Sequence, residues 1–465
     1  MAVRDVQIKN GRIHGCASGI PTVSVFKGIP YAAPPVGERR FRAPEPCGDW
    51  EGTYQAVEYG QIPVQDKEKS VFNREEFAGY GTMEPMGEDC LRLHIWTPAD
   101  SPEEKLPVMV WFHGGGFVED YAYNVVVDGD TFGSRFNTIL VSVEYRVGIL
   151  GFLAHPLLTR EGREKASGNY GFLDQRMALI WIRDNIQAFG GDPEKIMIFG
   201  ESAGGISVMQ HLCSPLSRGL FHRAAVMSGT GYFGKMLDAR REQQTLKEAE
   251  RAGEAVFARL GISTLEELRQ VPAEKFIEIQ KEMPGAFQPA IDGYFCRDWM
   301  DRTLLENRYA DVPLMMGCAS QESGLFRAQG DKSEKDWDRF FQIPAFAWAE
   351  LAAECPDRKP VYFYWFSRSI PNLGPWHAME LHYLFHVLHR TNRKLYQADL
   401  DLTDAMASYW CNFAASGDPN GEGLVRWEPY TQEKGSVLEL GDQIRMKQRS
   451  DFLELSAEVD FALGK

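Results

Sequence analysis

The stretch that decides the fold of this 465-residue chain is Gly200-Glu201-Ser202-Ala203-Gly204. It follows an apolar run, Ile196 to Phe199, and precedes a segment compatible with a helix. This context predicts a strand, a sharp turn and then a helix. A serine on such a turn projects its hydroxyl from the end of a sheet, and flanking glycines let the backbone bend without Cβ clashes. We therefore predict that Ser202 is a nucleophile.

A second motif lies upstream, where the apolar run Val108 to Phe112 is followed by His113-Gly114-Gly115-Gly116-Phe117. When a serine attacks an ester carbonyl, the oxygen becomes an alkoxide, and each well-placed N–H donor lowers the barrier by about 3 kcal/mol. Glycines can bring their amides against such an oxygen because they carry no side chain. We predict an oxyanion hole formed by the amides of Gly115, Gly116 and Ala203. The alternative interpretation of the glycine run is a flexible loop.

Further motifs in a fixed order make the chain resemble the type-B carboxylesterases, the cholinesterase and p-nitrobenzyl esterase family of α/β-hydrolases. The motifs include Phe26-Lys27-Gly28-Ile29-Pro30-Tyr31-Ala32, Glu88-Asp89-Cys90-Leu91-Arg92-Leu93-His94, Asn169-Tyr170-Gly171, Gly190-Gly191-Asp192-Pro193 and Phe413-Ala414-Ala415-Ser416-Gly417-Asp418-Pro419-Asn420. The resemblance spans nearly the whole chain, although His94 stands where the family has asparagine. It implies an α/β-hydrolase fold: a large, mostly parallel central sheet flanked by helices, with helical insertions over the active site.

The acid of the site is expected downstream of the serine, because the chain order in this fold is nucleophile, acid, histidine. Glu322 follows the apolar, strand-like run Val312 to Met316. Its segment resembles the one in which the family glutamate orients the base. Ser323 replaces the family's usual glycine after that glutamate. We predict that Glu322 is the acid.

The histidine is expected in a segment similar to the family's His-Gly pair, where this chain has His377 followed by Ala378. His377 would accept the proton of Ser202 and later donate it to the leaving alcohol. Glu322 would hold the imidazole in the correct tautomer. The resemblance thus implies a Ser202, His377 and Glu322 triad.

Two further polar residues are predicted to support the site without performing the chemistry. Glu201 precedes the nucleophile and is a candidate for tuning the electrostatics around His377, with a structural salt bridge as its alternative role. Ser228 ends the next apolar run and resembles a family serine buried near the triad. A hydroxyl that only satisfies a turn is the alternative for Ser228.

A metal site is not predicted, although four histidines fall at helix-like spacings: His377, His382, His386 and His389. His382 and His386 are four residues apart and could bind one ion. However, no H-E-x-x-H motif accompanies them, and the triad already accounts for His377. No P-loop or Rossmann glycine pattern is present in the sequence, so we expect neither a metal nor an organic cofactor.

Composition and element order favour one elaborated α/β domain over residues 1–465. Hydrophobic residues make up 44% of the chain, which is enough for a large buried core. Predicted strands are Val108 to Phe112, Ile139 to Val143, Ile196 to Phe199, Ala224 to Met227 and Val361 to Phe366; predicted helices are Leu173 to Phe189 and Asp238 to Leu260, with a capping box at Ser263-x-x-Glu266. A cap-like helical insertion is expected at roughly 235–290.

Residues of that cap and of the glycine loop are candidates for the substrate pocket, because loops over a common base select the substrate. The candidates are Phe117, Tyr121, Tyr123, Met283, Phe287 and Trp376. By resemblance, the segment around Gly285 and Phe287 borders the acyl pocket. A glycine there implies a roomier pocket than an aromatic residue would leave.

The formal charge of −15 argues against nucleic acid or an anionic membrane as a partner. We expect a small-molecule ester as the partner, and a monomer or homodimer. No hydrophobic segment follows Met1-Ala2-Val3-Arg4-Asp5, so a cytoplasmic location is predicted. The eight cysteines include no C-x-x-C pair. Secreted members of the resembled family pair the cysteine that corresponds to Cys90 with another one upstream, but no cysteine lies between Cys47 and Cys90 in this chain. Reduced thiols are therefore expected.

Together these observations predict a serine carboxylesterase that hydrolyses small, fairly apolar esters through an acyl-enzyme. One alternative is a catalytically silent, cholinesterase-like binding protein, which the presence of all three triad residues disfavours. A second alternative is hydrolysis of amides, carbamates or feruloyl esters by the same machinery. The sequence does not separate these substrates.

Overall fold

The strands and helices below come from a computed structural model, which describes residues 2–66, 85–230, 244–328, 334–370 and 374–463. The strands are β1 (Asp5–Ile8), β2 (Gly11–His14), β3 (Cys16–Ala17), β4 (Ser24–Pro30), β5 (Thr53–Gln55), β6 (Arg92–Thr97), β7 (Leu106–Phe112), β8 (Ile139–Val143), β9 (Gly191–Glu201), β10 (Arg223–Met227), β11 (Gln244–Thr245), β12 (Ala290–Ile291), β13 (Leu314–Ala319), β14 (Val361–Phe366), β15 (Ser436–Leu440) and β16 (Ile444–Gln448).

The helices lie mostly between the strands. They are α1 (Asp130–Phe136), α2 (Gly148–Phe152), α3 (Pro156–Glu161), α4 (Tyr170–Asn185), α5 (Ala203–Cys213), α6 (Leu246–Leu260), α7 (Leu265–Gln270), α8 (Ala273–Glu282), α9 (Met300–Leu305), α10 (Ser323–Ala328), α11 (Glu334–Ala353), α12 (Glu380–Leu384), α13 (Gln397–Ser416) and α14 (Leu453–Leu463). Short 3-10 helices occupy Gly37–Arg39, Ile186–Phe189, Pro215–Ser217, Leu388–Arg390 and Arg449–Phe452.

The central sheet has eleven strands within the described residues, in the order β16-β15-β14-β13-β10-β9-β7-β8-β6-β4-β3. The seven strands from β15 to β8 pair in parallel, whereas pairing at both edges is antiparallel. Parallel strands need crossover connections, and helices supply them here. The predicted α/β class with a mostly parallel sheet is confirmed.

The central strands are apolar along their whole length because both faces of the sheet are covered. Val108, Ile139 and Ile198 are completely buried. An unbroken apolar run is the pattern expected for such a strand. The predicted strands Ile139 to Val143 and Val361 to Phe366 agree with β8 and β14 residue for residue. The strand predicted at 312–316 instead lies two to three residues further on, as β13.

Helix boundaries differ from the predictions at several ends. The helix predicted from Leu173 to Phe189 is α4 followed by a 3-10 turn, so it starts three residues earlier. α6 begins at Leu246, and residues 238–243 of the predicted helix lie outside the described residues. The predicted capping box Ser263-x-x-Glu266 is wrong by one residue, because the Thr264 side chain accepts from the Glu267 amide. Ser263 and Thr264 both carry a hydroxyl that can cap a helix, and each precedes a glutamate by three residues. The sequence pattern therefore fitted either residue as the cap.

The turns that follow four parallel strands bring the candidate residues to one edge of the sheet. β7, β9, β10 and β13 are neighbours, and their carboxyl ends lead into His113, Ser202, Ser228 and, three residues on, Glu322. Ligands of open α/β sheets bind outside the carboxyl ends of strands. A functional site is therefore expected at this edge.

Two other features of the described residues concern the hydrophobicity of the helices and the state of the cysteines. No helix among them is long and apolar enough to cross a lipid bilayer. All eight cysteines lie within the described residues and are free thiols.

Candidate active site

The predicted nucleophile lies on a strained turn between β9 and α5. Ser202 has φ 57° and ψ −123°, a region that non-glycine residues rarely adopt. Its amide donates to Met227 O at 2.9 Å, and its carbonyl accepts from Ile206 N at 2.9 Å. These two bonds hold the turn against its strain. The side chain is half-buried at the carboxyl end of the strand.

Close backbone contact around this turn explains its glycines. A Cβ on Gly204 would overlap the carbonyl oxygen of Phe112, so α5 can approach β7 only with glycine there. On the other side of the turn, a Cβ placed on Gly114 would lie 3.3 Å from Ser202 Cβ. The glycine loop after β7 therefore lies directly beside the predicted nucleophile.

The loop residues predicted to donate to an oxyanion have backbone conformations that favour glycine. Gly115 has φ +86° and Gly116 has φ +61°. A Cβ on Gly115 would overlap the carbonyl oxygen of Glu119. Neither glycine amide donates a hydrogen bond to another residue of the described part of the chain. Ala203 is the first residue of α5, and the first amides of a helix have no intrahelical acceptor.

The predicted base and acid are in contact. His377 Nδ1 lies 2.5 Å from Glu322 Oε2, and Glu322 is completely buried. The other oxygen, Oε1, accepts from Ala319 N and from Ser228 Oγ, both at 2.7 Å. Three donors therefore converge on one carboxylate, which fixes its orientation.

Glu201 lies on the opposite side of the imidazole. Its Oε1 is 3.1 Å from His377 Nε2, and the residue is only 3% exposed. Burial raises the pKa of Glu201 well above its usual range, and the nearby carboxylates of Glu322 and Asp120 raise it further. The aromatic ring of Phe341 packs against the imidazole with ring centroids 4.4 Å apart. This contact with His377 is compatible with both interpretations of Glu201, electrostatic tuning of the imidazole and a structural salt bridge.

A third buried glutamate belongs to the same cluster, although the sequence analysis gave it no role. Glu380 Oε1 lies 3.4 Å from Ser228 Oγ and 3.5 Å from the hydroxyl of Tyr364. Burial raises the pKa of Glu380 well above its usual range, and Glu201 and Glu322 add to the effect. Its signal in the sequence is its place three residues after His377, which opens a short helix, α12.

Phe341 was also missed by the sequence analysis. It lies in α11, which carries no recognised motif, and it reaches the imidazole only through tertiary packing. Ala378 has φ +66°, which explains why a glycine suits this position in the resembled family.

The predicted pocket residues do not share one environment. Phe117 is 1% exposed and packs edge-on against Phe152 and Phe172 in the core. Phe287 is 2% exposed in the same apolar cluster, and Met283 packs at its margin. Buried aromatic packing accounts for these contacts.

Tyr121 and Tyr123 line a polar cavity of about 530 Å³, together with Tyr59, Asp128 and Arg390. Tyr123 stacks on Tyr59 with ring centroids 4.1 Å apart. Neither Ser202 nor His377 is among the residues that line this cavity. Trp376, by contrast, directly precedes His377, and its half-buried ring occupies the space beside Gly324.

His94, which departs from the resembled family, is a core histidine whose Nδ1 is hydrogen-bonded and whose buried Nε2 is not bonded to any described residue. Its Nδ1 accepts a hydrogen bond from Gly28 N at 2.8 Å, as an amide oxygen could. Burial lowers the pKa of His94 to about 3, with a smaller effect from Arg92, so the ring is neutral.

The three histidines after His377 have separate surroundings. His382 Nδ1 lies 3.2 Å from Met379 O, His386 Nε2 lies 3.3 Å from Asp404, and His389 is exposed. Across the ranges that the structure describes, no group of three or more histidine, cysteine, aspartate or glutamate side chains is arranged to hold a metal ion.

Comparisons with known proteins agree on one family. The sequence pattern of the Carboxylesterase family matches residues 2–340 and 337–456. The chain is 30% identical to a para-nitrobenzyl esterase of Bacillus subtilis, covering 95% of this chain and 96% of that protein. It is 32% identical to a medium-chain fatty acyl-CoA hydrolase precursor of Anas platyrhynchos, and the match covers 89% of this chain and 84% of that protein.

The fold is shared as well. A crystal structure of a carboxylesterase from Geobacillus stearothermophilus superposes with a TM-score of 0.84 at 29% identity, covering 98% of this chain and all of that one. Sequence pattern, relatives and fold therefore lead to the same conclusion. The chain belongs to the carboxylesterase family, has the α/β-hydrolase fold and is a carboxylic ester hydrolase.

Proposed function

We propose that Ser202, His377 and Glu322 are the catalytic triad of this ester hydrolase and that the reaction proceeds through an acyl-enzyme. The observation that carries the proposal is the 2.5 Å contact between His377 Nδ1 and the buried Glu322 carboxylate. Ser202 lies on a strained turn at the carboxyl end of a strand at the same edge of the sheet. A base oriented by a carboxylate, together with a serine hydroxyl at the same edge of the sheet, is the set of groups that nucleophilic catalysis requires.

The tautomer follows from that contact. Glu322 accepts a hydrogen bond from Nδ1–H of His377, so Nε2 is the unprotonated, acceptor nitrogen of the ring. Nε2 takes the proton of Ser202 as Oγ attacks the ester carbonyl carbon. The carbonyl oxygen becomes an oxyanion, and the amides of Gly115, Gly116 and Ala203 donate to it.

The second half of the reaction reverses these roles. The tetrahedral intermediate collapses, the ester C–O bond breaks, and Nε2–H protonates the departing alcohol. Water then gives a proton to Nε2 and adds to the acyl carbon. Collapse of this second intermediate releases the carboxylic acid and returns the proton to Ser202.

Two neighbours assist the triad without forming bonds to the substrate. The Ser228 hydroxyl donates to Glu322 and so holds the carboxylate in the plane that His377 needs. Glu201 has a raised pKa, which favours its neutral form. When the imidazolium forms, the Glu201 oxygen 3.1 Å from Nε2 can accept a hydrogen bond from Nε2–H.

The proposed substrates are small, fairly apolar carboxylic esters. The chain's net charge of −15 disfavours strongly anionic ligands, and we expect no nucleic-acid or membrane partner. The similar Bacillus protein is named for a para-nitrobenzyl ester. The proposed pocket remains the six residues Phe117, Tyr121, Tyr123, Met283, Phe287 and Trp376.

The proposed organisation is one α/β-hydrolase domain over 1–465 with a cap-like helical insertion at roughly 235–290. Within the described residues, α6, α7 and α8 support that insertion, and 235–243 lie outside them. A cytoplasmic monomer or homodimer is proposed.

The test is a series of p-nitrophenyl esters of increasing acyl length, with Ser202→Ala and His377→Ala compared with native protein. We expect the highest kcat/KM for short acyl chains and losses of several orders of magnitude in kcat for both variants. His389→Ala, which removes an exposed histidine, is the matched control and should keep its activity. Native-like turnover by Ser202→Ala would refute the mechanism.

A further inference from the structure

The glycine loop after β7 contains a tight turn of an uncommon type. Val118 N donates to Gly115 O at 3.0 Å, so Gly116 and Phe117 are the central residues of the turn. Both have a positive φ, +61° for Gly116 and +64° for Phe117. A positive φ at both central residues distinguishes a type I′ turn from a type II′ turn, which needs it only at the first. The turn is therefore of type I′.

Phe117 is the strained residue of this turn. Glycine adopts a positive φ freely, whereas phenylalanine does so at a cost. The two turn types differ by a flip of the peptide between the central residues, which changes ψ of the first and φ of the second. That flip would return Phe117 to a negative φ and would reverse the direction of the Gly116 carbonyl. The type I′ form therefore needs bonds from outside the turn.

Two bonds from outside the turn oppose this flip. Gln288 Nε2 donates to Gly116 O at 3.1 Å, and this carbonyl belongs to the peptide that would flip. Gly148 N donates to Phe117 O at 2.5 Å and so fixes the next peptide. The bond from Gln288 is lost as soon as the Gly116 carbonyl reverses, so it favours the type I′ form directly.

The backbone of Gln288 is itself fixed. Gln244 Nε2 donates to Gln288 O at 2.5 Å. Two residues further on, Asn169 holds Ala290 from both sides: Asn169 Nδ2 donates to Ala290 O at 2.7 Å, and Ala290 N donates to Asn169 Oδ1 at 3.0 Å. Phe287, which precedes Gln288, is only 2% exposed. The side chain that reaches the glycine loop therefore starts from an anchored position.

The helix before Gln288 makes a related contact. Gln280, in α8, accepts a hydrogen bond from Ile149 N at 2.8 Å. Ile149 directly follows Gly148, whose amide holds the Phe117 carbonyl. The segment from α8 to Gln288 thus contacts the glycine loop twice, through Gly148 and directly. Its position is therefore coupled to the conformation of that loop.

We propose that Gln288 is a positioning residue for ester hydrolysis, because its amide holds the peptide between Gly116 and Phe117. In this orientation the amides of Gly115 and Gly116 can donate to an oxyanion. The inference rests on the proposed esterase chemistry at Ser202. Donors that are already oriented need no reorganisation when charge develops on the carbonyl oxygen. Gln288 acts through Gly116 and makes no bond to the oxyanion itself.

The experiment compares p-nitrophenyl butyrate with its thiono counterpart, in which sulfur replaces the carbonyl oxygen. Sulfur is a weaker acceptor than oxygen and needs a longer contact, so oriented amides stabilise it less. The readout is the oxygen-to-sulfur ratio of kcat/KM, divided by the same ratio for hydroxide attack in solution. We expect this ratio to be well above one in native protein.

Gln288→Met removes the donor and nearly preserves the length of the side chain. We expect kcat to fall by about tenfold, KM to stay within about twofold, and the oxygen-to-sulfur ratio to fall toward one. Gln288→Glu, measured at pH 8, keeps the size and polarity but has no N–H to donate, so it should show at least the same losses and guards against misfolding of the first variant. Gln270→Met removes an exposed glutamine at the end of α7 and should leave kcat and the ratio unchanged.

Thermal unfolding verifies that the variants are folded. Native kcat in both Gln288 variants, a rise in KM alone, or a lower kcat with an unchanged oxygen-to-sulfur ratio would overturn the inference and leave the esterase proposal intact. Absence of turnover of the oxygen ester by native protein, or turnover that survives in Ser202→Ala, would instead refute the proposed function. The two failures are therefore distinguishable.

Discussion

Replacement of Glu322 by glutamine tests the role of the carboxylate that contacts His377. The amide keeps the shape of the side chain, and its oxygen can still accept from Ala319 N and Ser228 Oγ. Its NH2 group, however, would then face Nδ1–H across the 2.5 Å contact, which is donor against donor. The imidazole must change tautomer, and the charge that stabilises the imidazolium is lost.

The magnitude follows from the contact distance. Two unit charges 2.5 Å apart interact by about 7 kcal/mol at an effective dielectric constant of about 20. At about 1.36 kcal/mol per factor of ten, this is about five orders of magnitude as an upper limit. The dipole of the glutamine amide and the second tautomer of the imidazole restore part of the lost stabilisation. We therefore expect kcat to fall by about four orders of magnitude.

The matched control is Glu380→Gln. Glu380 is equally buried and belongs to the same cluster, but its raised pKa favours the neutral acid, which an amide imitates. We expect its kcat to fall by no more than about tenfold, the size of one neutral hydrogen bond. The assay is steady-state hydrolysis of a p-nitrophenyl ester at pH 7, with thermal unfolding to verify folding. Comparable losses in the two variants, or a Glu322→Gln enzyme with a tenth of native kcat, would refute the reasoning.

Three further predictions concern the loop, the histidine turn and an ion-pair cluster. Gly115→Ala places a Cβ on a backbone carbonyl, so kcat should fall by about a hundredfold through loss of oxyanion donors, and near-native kcat would contradict this use of the loop. Ala378→Gly relieves a φ of +66°, so the free energy of unfolding in urea should rise by about 0.5–1 kcal/mol once the glycine's greater unfolded-state freedom is subtracted; a decrease would contradict the strain argument. Burial alone would raise the Glu161 pKa, but hydrogen bonds from Arg42 and Arg269 outweigh it and lower the pKa to about 2. This carboxylate therefore stabilises the fold above its ordinary pKa and loses that contribution as pH falls toward 2. Glu161→Gln should lower the free energy of unfolding by about 1–3 kcal/mol at pH 7 and by progressively less below about pH 4.5. A difference that does not change with pH would count against the ion pairs.

The sequence predicted the parts of the fold that depend on local patterns. Apolar runs such as Ile139 to Val143 gave the central strands because a strand covered on both faces has no polar side to alternate. The turn at Ser202 was predictable because its glycines are required by backbone contact, as the overlap at Gly204 shows. Helix ends were predicted less well, since Ser263 and Thr264 are equally good caps.

The site residues that the sequence did not identify depend on tertiary packing. Phe341 contacts the imidazole from α11, far from any motif. Glu380 is a buried acid only because α12 carries it beneath the triad, and the sequence shows merely a glutamate in a helix.

The pocket predictions illustrate the same limit. Aromatic residues near a catalytic motif are as often core as lining, and Phe117 and Phe287 are indeed almost fully buried among other apolar side chains. Which of their ring faces meets a substrate depends on the shape of the loops above them. Those roles remain predictions, and substitutions at Trp376, next to His377, are the first to make.

The most direct test of the central claim is to find the atom that carries the acyl group. The native enzyme should be mixed with a p-nitrophenyl ester and quenched in acid within the first turnovers, and its peptides analysed by mass spectrometry. The account predicts one acyl adduct, on Ser202, that is absent from Ser202→Ala and strongly reduced in His377→Ala, because acylation needs the base. An adduct on a different residue, or a burst of p-nitrophenol without any adduct on Ser202, would contradict it.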